Sequence, residues 1–138
     1  MAMRIRDDIR LGTLQEEFRR QFPFLKIEFY AESHRMGMGS PERARLSPDL
    51  LIGEVRQNNT TGHFCLDDQQ RTADFEEMLS AVYGLHVQVF RRSRGRWLQT
   101  WATDSWTLGE QNKRGEVMAR PSFGSSRTSP NQMTPEES

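Results

Sequence analysis

The segment LGTLQEEFRRQFPFLKIEFY at residues 11 to 30 returns as TADFEEMLSAVYGLHVQVF at residues 72 to 90. This internal similarity constrains the fold more than any other feature of the chain. In its helical part Leu14 aligns with Phe75 and Phe18 with Leu79. In the strand that follows, Leu25, Ile27 and Phe29 align with Leu85, Val87 and Val89. The offset falls from 61 to 60 across the turn, so one residue was gained or lost there. A second, shorter match, IGEV at 52 to 55 with LGEQ at 108 to 111, follows at an offset of 56. One such round alone buries too little apolar surface to be stable, whereas two can share a core.

Within each round the hydrophobic period changes from helical to alternating. Leu11, Leu14, Phe18 and Phe22 recur every three or four residues and predict an amphipathic helix, which Pro23 ends. LKIEFY then alternates, with Leu25, Ile27 and Phe29 on one face and Lys26, Glu28 and Tyr30 on the other. Met3 to Arg6 predicts a first strand, and HFCL at 63 to 66 opens the second round. Helix 72 to 83 presents Phe75, Met78, Leu79 and Val82, and Gly84 sits where a left-handed C-cap is wanted. LHVQVF follows as a strand, RRSRGR at 91 to 96 as a tight turn, and WLQTWA as the return strand, with Trp97, Gln99 and Trp101 on one face. Ser47 or Asp49 is expected to cap a short helix in DLLIGEVRQ, and Asp104 or Ser105 another in WTLGEQN.

The expected fold class is therefore α+β. Two tandem βαβ-containing repeats, about 1–58 and 62–114, form a mixed or antiparallel sheet with helices on one face, ferredoxin-like in element order. The domain should span residues 1–115. Residues 33 to 48, rich in Gly, Pro and Ser, read as a mobile loop in which Arg45 and Leu46 are the only strand-like piece. Residues 116–138 lack periodicity and read as a disordered tail.

Charge is balanced, 19 basic against 19 acidic residues, so no global field draws the chain to nucleic acid or to an anionic membrane. Arg outnumbers Lys 17 to 2, which reads as coding bias before function. MAMRIRDDIR places charges where a signal peptide needs an apolar stretch, and no apolar run is long enough to span a bilayer. The expectation is a cytoplasmic protein with no membrane partner. A single cysteine, Cys65, provides neither an internal disulfide nor a CxxC pair.

His63, Cys65 and Asp67 alternate along one strand and could face the same way, as a metal site or a Cys/His pair would require. Without a second ligand cluster, Cys65 reads instead as a small buried residue between Phe64 and Leu66. Asp67, Asp68, Glu76 and Glu77 read as capping and solubilising groups, and His34 and His86 as solvent-facing. MGMGSP at 36 to 41 lacks the lysine and the helix context of a phosphate loop, and reads as a connector. No catalytic residue, cofactor or metal is expected.

The candidate binding residues are Arg91, Arg92, Arg94, Arg96, Trp97 and Trp101, a hairpin in which guanidinium groups stand beside aromatic rings. Trp, Tyr and Arg dominate protein-binding hot spots, and Arg beside aromatics also suits single-stranded RNA. The leading expectation is a non-enzymatic protein-interaction module with an unidentified protein partner. An RNA-binding module is the alternative, an enzyme the third reading, and a homodimer is compatible with all three.

AVYGLHVQVF, WLQT and TDSWTLGEQN resemble a group of small uncharacterised bacterial proteins that carry the same duplicated helix-strand unit. The resemblance covers roughly residues 10 to 115. It implies the domain limits, and it brings no catalytic residue, cofactor or partner with it.

Overall fold

The computed structural model describes residues 2–32, 39–56 and 58–119. Among the described residues five strands and four α-helices follow in the order β1 (Ala2–Ile5), α1 (Leu11–Gln21), β2 (Leu25–Tyr30), α2 (Ile52–Val55), β3 (Gly62–Cys65), α3 (Thr72–Tyr83), β4 (His86–Ser93), β5 (Arg96–Gln99) and α4 (Leu108–Ala119). Single 3-10 turns at Glu42–Ala44 and Trp101–Thr103 complete the order. The fold is α+β.

The strands form two antiparallel sheets. β1 pairs with β3, and a separate three-stranded sheet has the order β2-β4-β5. A ferredoxin-like arrangement would interleave the strands of both βαβ units in one sheet. Here β2 pairs with β4 directly, from Leu25↔Arg91 to Tyr30↔His86, which leaves no place between them for β1 and β3. The short ribbon packs instead through Met3, Ile5 and Phe64 into the same hydrophobic cluster as the helices.

That cluster is the core. Leu25, Ile27, Phe29, Leu85, Val87 and Val89 from the sheet meet Leu14, Phe18, Phe75 and Leu79 from α1 and α3, and none is more than 2% exposed. Removing such side chains from water stabilises by about 1.5–3 kcal/mol each. Phe75 sits between Phe18 and Phe64, with ring centroids 5.4 and 6.4 Å away.

Backbone carbonyls of neighbouring segments cap every helix start, with side chains adding to this at α2 and α4. Leu11 and Gly12 N–H donate to Leu50 and Pro48 carbonyls, while Ile52 and Gly53 N–H donate back to Ile9 and Asp7. At α3 and α4 the same exchange occurs: Thr72 and Ala73 donate to Trp106 and Asp104, and Leu108 and Gly109 to Gln70 and Asp68. Two of the four free N–H groups that every helix start carries are thereby satisfied. Thr107 and Glu110 add a capping box to α4, so neither Asp104 nor Ser105 is its cap.

Gly84 caps α3 with φ 69°, as expected of a left-handed C-cap. The β4–β5 turn is tighter than RRSRGR suggests. Strand pairing continues to Ser93↔Arg96, and only Arg94 (φ 52°) and Gly95 (φ 83°) form the turn. Both positive φ values are those of a type I′ hairpin.

Two further expectations need adjustment. In the 33–48 segment, residues 33–38 lie outside the described residues, but 39–46 lie against the sheet. Ser40 and Ala44 are buried, and Arg45 bridges Tyr30 as a short extra edge. At the other end α4 runs to Ala119, beyond the expected limit at 115, while 120–138 lie outside the described residues.

Candidate functional site

Alternation and register decide which side chains share a face. The inner face of the three-stranded sheet carries Val87, Val89 and then Arg91. The outer face carries Lys26, Glu28 and Tyr30 on β2, Gln88, Phe90 and Arg92 on β4, and Trp97 and Gln99 on β5. The six predicted binding residues therefore divide.

Arg91 is turned inward and is 4% exposed. Its Nη1 donates to Gln111 Oε1 at 2.8 Å, and its guanidinium stacks 5.2 Å from the Trp106 ring. Arg91 thus joins β4 to α4 and is not presented to a ligand. Arg92, by contrast, lies 5.2 Å over Trp97 on the outer face. Arg94 in the turn and Arg96 just after it are exposed. Trp101 is in the 3-10 turn after β5, not on the strand, and is 44% exposed.

Around Trp97 the structure adds two residues that the sequence reading did not single out. Arg19, from the last turn of α1, lies 5.0 Å from the indole centroid, and Lys26 lies 5.3 Å from it and 5.1 Å from the Phe90 ring. Three cations thus gather on one ring, no two more than about 10 Å apart. Their mutual repulsion at that spacing, about 1–2 kcal/mol per pair for an effective dielectric constant near 20, is comparable with the 0.5–1 kcal/mol or so that each exposed cation–π contact returns. Lys26 and Arg45 share Glu28, at 3.1 and 3.4 Å. Arg19 and Arg92 have no carboxylate partner among the described residues.

Beside this cluster Tyr30, Ala44 and Phe90 form a small apolar group with Trp97 at its rim. Burial pushes the Tyr30 hydroxyl up to about 12, with Arg45 opposing the shift and Glu28 and Glu42 adding to it. A polar chain runs on from there. Ser40 Oγ donates to Gln88 Oε1 at 3.2 Å, and the Gln99 side chain holds the Ser40 backbone from both sides, at 2.9 and 3.1 Å. Gln88 Nε2 reaches Glu76 Oε2 at 3.5 Å. Burial pushes the Glu76 carboxyl up to about 8, opposed by the Val89 N–H that it accepts and reinforced by Asp104.

The second constellation lies elsewhere, on β3. Phe64 faces inward opposite Met3, which turns His63 and Cys65 outward; Cys65 is exposed, contrary to the expectation of burial. Cys65 and Asp67 line an open hollow of about 530 Å³ with Met78, Val82 and Tyr83, and His63 is not part of its wall. Asp67 Oδ1 accepts the Gln69 N–H at 2.9 Å, a turn contact. Among the described residues no three His, Cys, Asp or Glu side chains are placed to hold a metal ion, and no helix is long and apolar enough to cross a membrane. No family model, curated protein or solved structure matches the chain.

Proposed function

We propose that this chain is a non-enzymatic, cytoplasmic protein-interaction module built from a duplicated α+β unit, and that its binding surface is the Trp97 end of the outer sheet face. The observation that carries the reading is the gathering of Arg19, Lys26 and Arg92 on Trp97, beside the apolar group of Tyr30 and Phe90. Trp and Arg in one partly desolvated patch are the residues that dominate binding energy at protein interfaces.

Register supports the duplication. Met3 pairs with Phe64, its own counterpart 61 residues on, and Glu28 pairs with Gln88, its own counterpart 60 residues on. A local two-fold axis through both pairs accounts for this. Gln15 Nε2 donates to Glu28 Oε1 at 3.1 Å, and the corresponding Glu76 receives Gln88 Nε2, so amide and carboxylate have changed places. The patch draws Arg19, Lys26 and Tyr30 from the first round and Phe90, Arg92 and Trp97 from the second, and Trp97 has no equivalent in the first round, where residues 39–46 run.

RNA binding, the second reading, keeps Arg92, Arg94, Arg96, Trp97 and the exposed Trp101 but loses Arg91 to the interior. Affinity capture with wild type and Trp97→Ala, with and without nuclease, separates the two. A protein recovered by wild type, lost with the variant and indifferent to nuclease supports the module. Recovery that does not depend on Trp97 removes this face from consideration, and recovery abolished by nuclease moves it to RNA.

A further inference from the structure

We infer that the Trp97 patch takes an acidic peptide segment of a protein partner, its carboxylates seated between Arg19, Lys26 and Arg92; this rests on the reading of that face as a binding surface. The patch holds cations in excess. Glu28 is the acid among them, and it is already divided between Lys26 and Arg45. Arg19 donates to the Pro23 carbonyl at 3.3 Å and otherwise faces the indole, and Arg92 meets only the ring among the described residues. Planar guanidinium groups with free donors match carboxylates in pairs. An arriving anion would relieve the repulsion among three like charges that the indole only partly offsets.

The rings themselves argue for carboxylate over nucleobase. Single-stranded nucleic acid is held by stacking on open aromatic faces. Trp97 is lined by three cations, and Phe90 is 8% exposed with Lys26 above it. The indole serves to position charge. Arg94 and Arg96 extend the positive surface along the hairpin, and the chain holds Arg94 in left-handed backbone geometry to place it there. A run of several acids fits this surface better than a single anion.

Calorimetric titration of the full chain with a synthetic Glu- and Asp-rich peptide of about 12 residues, and with oligouridylate of similar length, tests the inference at about 50 and 300 mM salt. The peptide should bind at low salt and weaken at high salt. Arg19→Gln and Arg92→Gln together, at one exposed and one half-buried position, should weaken it about tenfold or more, with the unfolding midpoint unchanged. No binding of the peptide at low salt, or equal binding by the double variant, overturns the inference. So does tighter binding of oligouridylate, which would assign the face to nucleic acid. If the peptide fails while Trp97-dependent, nuclease-indifferent capture persists, the module stands and only the acidic chemistry of its partner falls.

Discussion

Glu76 Oε2 accepts the backbone N–H of Val89 at 2.9 Å, one residue before the last pair of β4 with β5, Phe90↔Gln99. It thereby closes a strand edge that β5 leaves open, and it does so from a buried position. An acid whose pKa rises from 4.5 to about 8 on folding keeps its proton in the folded chain where the unfolded chain has lost it. Stability should therefore fall as pH climbs from about 4.5 to about 8. Glu76→Gln, which copies the Gln15 position, should flatten that slope. Thermal midpoints at three pH values across the window decide it, and parallel slopes in both proteins would acquit Glu76.

Arg91 and Arg92 are neighbours with opposite roles. Arg91→Ala removes the hydrogen bond to Gln111 and the stack on Trp106, and should cost about 1.5–3 kcal/mol. Arg92→Ala, on the surface, should change stability by no more than about 0.5 kcal/mol. Urea unfolding of the two variants reads the difference directly.

Arg94 occupies a hairpin position that favours Asn or Gly. Its φ of 52° is strained for an ordinary side chain. Arg94→Asn should stabilise by about 0.5–1 kcal/mol while removing one charge from the tip. A loss of stability would mean that the Arg94 side chain contributes more to the fold than its turn geometry costs.

Gly115 lies inside α4, where alanine would normally gain about 1 kcal/mol in helix propensity. A Cβ there would stand 2.8 Å from the Phe24 carbonyl oxygen and 3.3 Å from Arg91 Cγ. Because the first of these neighbours is backbone, Gly115→Ala should reverse the sign and destabilise by about 1–3 kcal/mol. Denaturant midpoints give the sign without further assumptions.

Cys65 is exposed at the end of β3. A thiol reagent such as DTNB should modify it in the folded protein, to about one equivalent, before any unfolding. Reaction that occurs only in denaturant would restore the expectation of a buried thiol.

Where a residue's side of an element follows from period alone, the sequence was readable. β2 and α3 begin and end where alternation, Pro23 and Gly84 place them, and Leu25, Ile27, Phe29, Phe75 and Leu79 face the core as expected, whereas on α3 Val82 is exposed and Glu76 is buried. RRSRGR reads as a turn from its Ser and Gly, yet continuing the alternation from Val87 and Val89 carries Arg91 inward. Residue type suggests burial for Cys65, but opposite Met3 it is Phe64 that takes the inner position. The four residues by which α4 passes 115 are too few to show a period, so the end of that helix is not marked in the sequence. Arg19 and Lys26 join Trp97 from elements far apart in sequence, and no local pattern announces such a meeting. The division into two sheets was equally hidden, since element order does not say which strands will pair.

The Arg94 N–H donates to the Met118 carbonyl at 3.2 Å, so the last turn of α4 is fastened to the tip of the β4–β5 hairpin. This fastening gives the molecule a mechanical polarity. A pulling force applied at Ala119 is delivered first to the hairpin that carries Trp97 and Arg92, while the β1–β3 ribbon is reached only from the far end of α4, through Asp68 and Gln70, and through the core. A tether at that end would therefore tug on the candidate surface itself, and one attached near Ala2 would leave it slack.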